Sequence, residues 1–328
     1  MTAGPHPRSG DGLLLLPPGV SSCWTDLGGP VHYLDFGGPA DAPVIVCVHG
    51  LGGSAVNWLA IAPLLADRFR LLAPDLAGHG LTRSQGRSTD VKSNRVLLDR
   101  FIEAVPGSPV ILMGNSMGGM ISLLEASAAA AKVTDLILLD PALPFVLVRP
   151  DPAVTAILAL SAAPGLGRVI AASRRRMSPE AAVADVLALC CADASRVPAD
   201  VVATHVDMAR RRAGFTEVGR DFAIAARSVI STAGRLRGSP YRRGVRSISC
   251  PVLLLHGSRD RLVPVAAARG AARANPSWTL VVLPDIGHVP QLEAPQDCAR
   301  VISQWLGSRG SPGTKGAGDQ LQPRRHSA

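Results

Sequence analysis

The chain's 328 residues allow one large α/β domain or two ordinary ones, and 47% hydrophobic side chains with only 4% aromatics build a large core from Ala, Val, Leu and Ile. A formal charge of +9 invites a nucleic-acid or membrane-surface reading, but the excess is almost all Arg, spread through the second half and the tails, with Lys only at Lys92, Lys132 and Lys315. No aromatic residues alternate with these arginines as stacking platforms, and no stretch approaches the ~18 uncharged apolar residues of a membrane span, so neither nucleic acid nor an integral membrane segment is expected.

Residues 1–20 are rich in Gly, Pro, Ser and Arg without periodicity and read as a flexible tail. Cys23–Asp26 and Val31–Phe36, separated by Gly28-Gly29-Pro30, predict an opening hairpin. Pro43–Val48 is a continuous apolar run with β-branched residues, as expected of a strand buried on both faces. A helix is expected over Asn57–Ala66, then a strand at Phe69–Ala73 and a helix capped by Asp90 that runs to about Ala104. Pro109–Met113 reads as the next buried strand, Met117–Ala130 as a helix and Asp135–Leu139 as a strand. The alternation resumes with a strand at Pro251–Leu255, a helix near Ala266–Ala274, a strand at Trp278–Leu283 and a last helix near Pro295–Leu306. Strands alternating with helices imply right-handed crossovers and a mostly parallel sheet. Residues 142–245 break the pattern with Ala-rich and Arg-rich helical stretches cut by Pro144, Pro150, Pro152, Pro164 and Pro198, and read as a helical insertion. Residues 308–328 read as a disordered C-terminal tail.

Four strand ends carry residues suited to chemistry. Gly114-Asn115-Ser116-Met117-Gly118 matches G-x-S-x-G between an apolar strand and a helix, where a sharp turn would expose the Ser116 hydroxyl and free the Met117 N–H to bind an anion. His49-Gly50-Leu51-Gly52-Gly53 follows another strand, so the Leu51 N–H can supply a second oxyanion donor, with His49 a structural hydrogen-bonder. Asp260, on the loop after Pro251–Leu255, is the candidate acid that would orient an imidazole. Asp140, ending Asp135–Leu139, opens on the same edge and is its rival. His288, in Asp285-Ile286-Gly287-His288, comes last in the order Ser, Asp, His and is the candidate base.

Together Gly114–Gly118, His49-Gly50, Asp75-Leu76-Ala77-Gly78-His79-Gly80, the Asp260 loop and Gly287-His288 resemble the α/β-hydrolase superfamily over residues 21–307. The resemblance implies an α/β-hydrolase fold, an eight-stranded mostly parallel sheet flanked by helices, with residues 142–245 inserted as a helical lid. It also implies two-step acyl transfer through an acyl-enzyme, with Ser116 as nucleophile, His288 as base, Asp260 as acid, and Leu51 and Met117 as the oxyanion hole. Dehalogenase and epoxide-hydrolase relatives carry Asp where this chain has Ser116. Asp75–Gly80 is expected to be a structural turn.

The expected substrate is a small carboxylic ester with an apolar portion, since Ala153–Ala163 and Ala181–Leu189 are apolar stretches of the lid. Asn115, Gly50 and Val289 are the expected substrate contacts. The elbow Gly-Asn-Ser-Met-Gly-Gly also resembles carbon–carbon hydrolases of ring-cleavage products. Those carry Trp after the histidine, whereas this chain has Val289, and they set a lid Arg against the substrate carboxylate. Arg174, Arg175, Arg176, Arg210, Arg211 and Arg212 are candidates for that role or for a solvated face. Carbon–carbon cleavage is thus the second reading, and a non-catalytic ligand-binding protein on the same fold the third. No metal or organic cofactor is expected. The six cysteines show no C-x-x-C pair or zinc spacing and no targeting segment is evident, so the expectation is a reducing, cytoplasmic compartment. Oligomeric state is not legible.

Overall fold

The computed structural model describes residues 14–107, 109–144, 177–234 and 239–309. Eight strands form one sheet in the order β1-β2-β4-β3-β5-β6-β7-β8. Strands β1 (Ser21–Asp26) and β2 (Pro30–Asp35) make the expected hairpin, its turn held by the N–H groups of Gly28 and Gly29 on the Asp26 carboxylate. β2 pairs antiparallel with β4 (Arg70–Pro74), and every pairing beyond it is parallel: β3 (Val44–Val48), β5 (Val110–Asn115), β6 (Val133–Leu139), β7 (Val252–Gly257) and β8 (Thr279–Leu283).

The apolar runs are continuous because both faces of these strands are covered. Alternate residues point to opposite sides. Ile45, Cys47, Ile111, Met113, Ile137, Leu139, Leu253 and Leu255 join one core, and Val46, Val48, Val110, Leu112, Leu136, Leu138, Val252 and Leu254 the other. Helices α1 (Val91–Ala104) and α2 (Met117–Ala128) pack against each other, and the first begins at the expected cap, where Asp90 accepts the Ser93 N–H. Between β6 and β7 the described residues form α3 (Pro179–Cys190), α4 (Ala199–Arg212), α5 (Val218–Ala233) and α6 (Pro240–Arg246). The chain ends with α7 (Val265–Ala274), the short α8 (Pro290–Glu293) and α9 (Pro295–Gly307). Among the described residues no helix is long and apolar enough to cross a membrane.

Two expectations change. Asn57–Ala66 is not one α-helix but two 3-10 turns, Ala55–Trp58 and Ala62–Leu64, because Pro63 removes a backbone donor and Ser54 with Asn57 closes the first turn as a capping box. The expected tail 1–20 is packed from Leu14 on: Leu14 is buried, the Leu15 N–H donates to Asp207, and Thr204 donates to the Leu15 carbonyl. Arg174, Arg175, Arg176, the stretch Ala153–Ala163 and residues 310–328 lie outside the described residues.

Candidate active site

Parallel strands deliver their carboxyl ends to one edge of the sheet, where loops collect side chains from segments distant in sequence. Ser116 stands between β5 and α2 with φ 54° and ψ −117°, a left-handed conformation that costs a side-chain-bearing residue about 1–3 kcal/mol. The elbow is imposed by close packing. A Cβ on Gly118 would lie 2.0 Å from the Val48 carbonyl oxygen, and one on Gly114 would lie 2.6 Å from that of Gly118. The Ser116 N–H donates to Leu139 (3.1 Å), and its carbonyl accepts from Met120 and Ala142 (both 3.0 Å), which ties the turn to β6 and α2.

The β3 loop lies against this elbow. A Cβ on Gly50 would lie 3.1 Å from Ser116 Cβ, so Gly50 keeps the space beside the hydroxyl free of a side chain. Neither the Leu51 nor the Met117 N–H has an acceptor among the described residues. His49 is buried, with Nε2 accepting the Leu76 N–H (3.1 Å) and Nδ1 donating to the Gly50 carbonyl (2.8 Å). Burial lowers its pKa, so it is a neutral clamp on the loop. Asp75 is likewise structural, accepting from the Ala55 and Leu81 N–H groups (both 2.7 Å) and from His32 Nδ1 (2.6 Å).

On the other side, His288 Nδ1 donates to Asp260 Oδ2 at 2.7 Å, both groups being buried. The other Asp260 oxygen accepts the N–H groups of Leu262 (2.8 Å) and Val263 (3.0 Å). Burial opposes ionisation of Asp260, but the charge and hydrogen bond of His288, with His256 and Asp140, outweigh it and hold the carboxyl below its usual range. Asp140, the rival acid, accepts the Gly257 N–H at 2.9 Å and makes no hydrogen bond to His288.

Asn115, expected to touch substrate, is buried and its Nδ2 donates to the carbonyls of Leu139 and His288, both at 3.0 Å. It therefore joins the residue before Ser116 to the loop of His288. Val289, also expected to touch substrate, is buried in the apolar core. Glu293 was not legible as a site residue. Its buried carboxylate accepts from Gly287 (2.8 Å), Asp193 (2.9 Å) and Ala192 (3.1 Å), while the His288 N–H donates to the Cys190 carbonyl at 2.6 Å. The end of α3 and the His288 loop thus form one hydrogen-bonded unit. The only sequence signal is a carboxylate set between Pro290 and Pro295 in an apolar stretch.

Three of the six candidate arginines are described, and each has a partner. Arg210 pairs with Glu180, Arg211 with Asp207 at 3.0 Å, and Arg212 donates to the Gly78 carbonyl at 3.1 Å. Among the described residues Asp140, His256 and Asp260 could together meet a metal ion. The donor set does not fit: His256 Nε2 donates to the Val263 carbonyl at 2.8 Å, and the Asp260 oxygen is the one that holds His288.

Residues 45–301 match the model of the Alpha/beta hydrolase family. The chain is 27% identical over 288 residues to the dihydrolipoyllysine-residue acetyltransferase component of the acetoin cleaving system of Pseudomonas putida, covering 84% of this chain and 66% of that protein, just under two thirds of its length. It is 28% identical over 269 residues to the pimeloyl-(acyl-carrier protein) methyl ester esterase of Aromatoleum aromaticum, covering 79% and 96%. Among solved structures it is similar to the 2-hydroxy-6-oxo-6-phenylhexa-2,4-dienoate hydrolase of Rhodococcus sp. strain RHA1, with a TM-score of 0.69, 22% identity and 88% and 99% of the two chains covered.

Proposed function

The chain belongs to the alpha/beta hydrolase family, and from that premise we propose that it is a serine hydrolase acting by acyl transfer on small carboxylic esters with an apolar portion. The observation that carries this reading is the pairing of a strained, glycine-packed Ser116 with an Asp260–His288 hydrogen bond at the same sheet edge. His288, held with its proton on Nδ1 by Asp260, takes the Ser116 proton at Nε2 as the hydroxyl oxygen attacks the ester carbonyl. The N–H groups of Leu51 and Met117 receive the oxyanion, each contributing about 3 kcal/mol of transition-state stabilisation. The proton then passes from His288 to the leaving alcohol, and water activated by His288 releases the acyl group.

Residues 21–307 serve as the catalytic domain, with the insertion 142–245 as a lid whose described face includes the apolar α3. A relative that hydrolyses methyl esters supports ester over carbon–carbon substrates. The free state of all six cysteines supports a reducing, cytoplasmic setting. Hydrolysis of p-nitrophenyl esters of increasing acyl length tests the reading. Wild-type turnover that falls ~10⁴-fold or more in Ser116→Ala, with the fold retained, is the expected result. An alanine variant that keeps near-full activity would overturn it.

A further inference from the structure

Asp140 directly follows β6 with a positive φ of 45° and a fully buried side chain near Asp260. One of its oxygens accepts the Gly257 N–H at 2.9 Å, and the other meets no donor among the described residues. An oxygen of each carboxyl lies with a ring nitrogen of His256 in a buried cluster no wider than 4.8 Å. Ionised carboxylates are acceptors only, so neither of two buried carboxyls this close can satisfy the other unless one of them holds a proton. Without one, two like charges would share a buried site and Asp140 would keep an unsatisfied oxygen.

The surroundings decide which group holds that proton. Asp260 already accepts from Leu262, Val263 and His288, whereas Asp140 receives only Gly257. The other titratable groups facing Asp140 offer it no positive charge: His256 gives its Nε2 proton to Val263 and is driven towards neutrality chiefly by burial, Glu293 adds negative potential, and the Cys298 thiol is buried and raised.

We propose that Asp140 holds the proton of this carboxyl pair and donates it to Asp260, making Asp140 a positioning residue that fixes Asp260 towards His288 and limits its basicity. Burial, then the neighbouring Asp260 charge, hold the Asp140 carboxyl well above its usual range in agreement. The consequence for turnover rests on the serine-hydrolase reading above; the location of the proton does not.

Two measurements on the full chain test this. In the pH profile of kcat/KM for a p-nitrophenyl ester, Asp140→Leu removes the donor, leaves Asp260 more basic and favours the His288 imidazolium. Its acidic midpoint moves up by ~0.5–1 pH unit. Asp140→Asn keeps an N–H donor and restores the parental midpoint. A midpoint that falls in both variants means that a negative charge was removed, and it overturns the proposal, as does an unmoved midpoint in Asp140→Leu. Infrared difference spectra of parent minus Asp140→Asn at neutral pH supply a readout independent of turnover and of whether the leucine variant folds. The carbonyl band of a protonated carboxylic acid is expected, and a carboxylate band in its place overturns the proposal. If the acid band is present and esters are not hydrolysed, the functional reading fails and the protonated Asp140 stands.

Discussion

The two halves of the candidate site are built by different means. At the Ser116 elbow, close backbone packing does the work: Gly114 against Gly118, and Gly118 against Val48 of β3, leave no room for a Cβ, so the β5–α2 turn has one way to close. The His288 loop is held from afar by Asp260, by Asn115 reaching across from β5 and by the Cys190 carbonyl, and from the adjoining α8 by Glu293. Close steric packing makes the elbow rigid by exclusion, whereas the His288 loop depends on buried hydrogen bonds that each need a partner from another element. The first half resists change until something large is inserted. The second is expected to loosen when any one polar partner is lost.

The sharpest break falls on the polar half. Asp260→Asn removes the charge that stabilises the His288 imidazolium and disturbs its tautomer, and a ~10⁴-fold fall in kcat is expected in steady-state ester hydrolysis with the fold intact. On the steric half, Gly118→Ala puts a methyl group against the Val48 carbonyl and is expected to destabilise the chain by about 3 kcal/mol in urea unfolding. Replacing Glu293 by Ala leaves the N–H groups of Gly287, Ala192 and Asp193 without their acceptor. Stopped-flow and steady-state assays are expected to show a ~10²-fold loss in kcat with KM little changed, partly restored in Glu293→Gln, which keeps one amide oxygen as acceptor. Equal losses in both variants would mean that the charge, not the hydrogen-bond geometry, holds the loop.

The smallest effect is on stability against pH. The Asp140 carboxyl is raised in the folded chain, so above the usual carboxylate value of 3.8 the unfolded chain releases a proton that the folded chain retains. The contribution is therefore fully present below that value and is lost as pH rises towards the folded pKa. Asp140→Asn is accordingly expected to gain in melting temperature over the parent near neutral pH, with the gain shrinking on acidification. A gain that persists undiminished at acid pH would point to packing rather than protonation.

Much of this molecule was legible in the chain itself. The apolar runs at Val44–Val48, Val110–Met113, Val133–Leu139 and Val252–Leu255 announce doubly covered parallel strands, because only such strands lack a polar face. The elbow motif is equally legible, since its glycines and Ser116 lie within Gly114–Gly118. Reading failed where a residue's neighbours lie elsewhere in the fold. Periodicity suggested a helix at Asn57–Ala66, but Pro63 and the Ser54–Asn57 cap split it. Leu15 reads as part of a free tail, but Asp207 and Thr204 of α4 hold its backbone.

Composition, periodicity and contiguous motifs determined the fold class, the sheet's parallel core and the positions at which chemistry could stand. These depend on side-chain periods and on steric demands within a few residues. Only the tertiary structure decided which buried carboxyl meets His288, that Asn115 and Val289 face inwards, and that Glu293 fastens α3 to the His288 loop. Those outcomes depend on which donors and acceptors are brought together when the strand ends converge, and on the desolvation that makes every unpaired polar atom there costly.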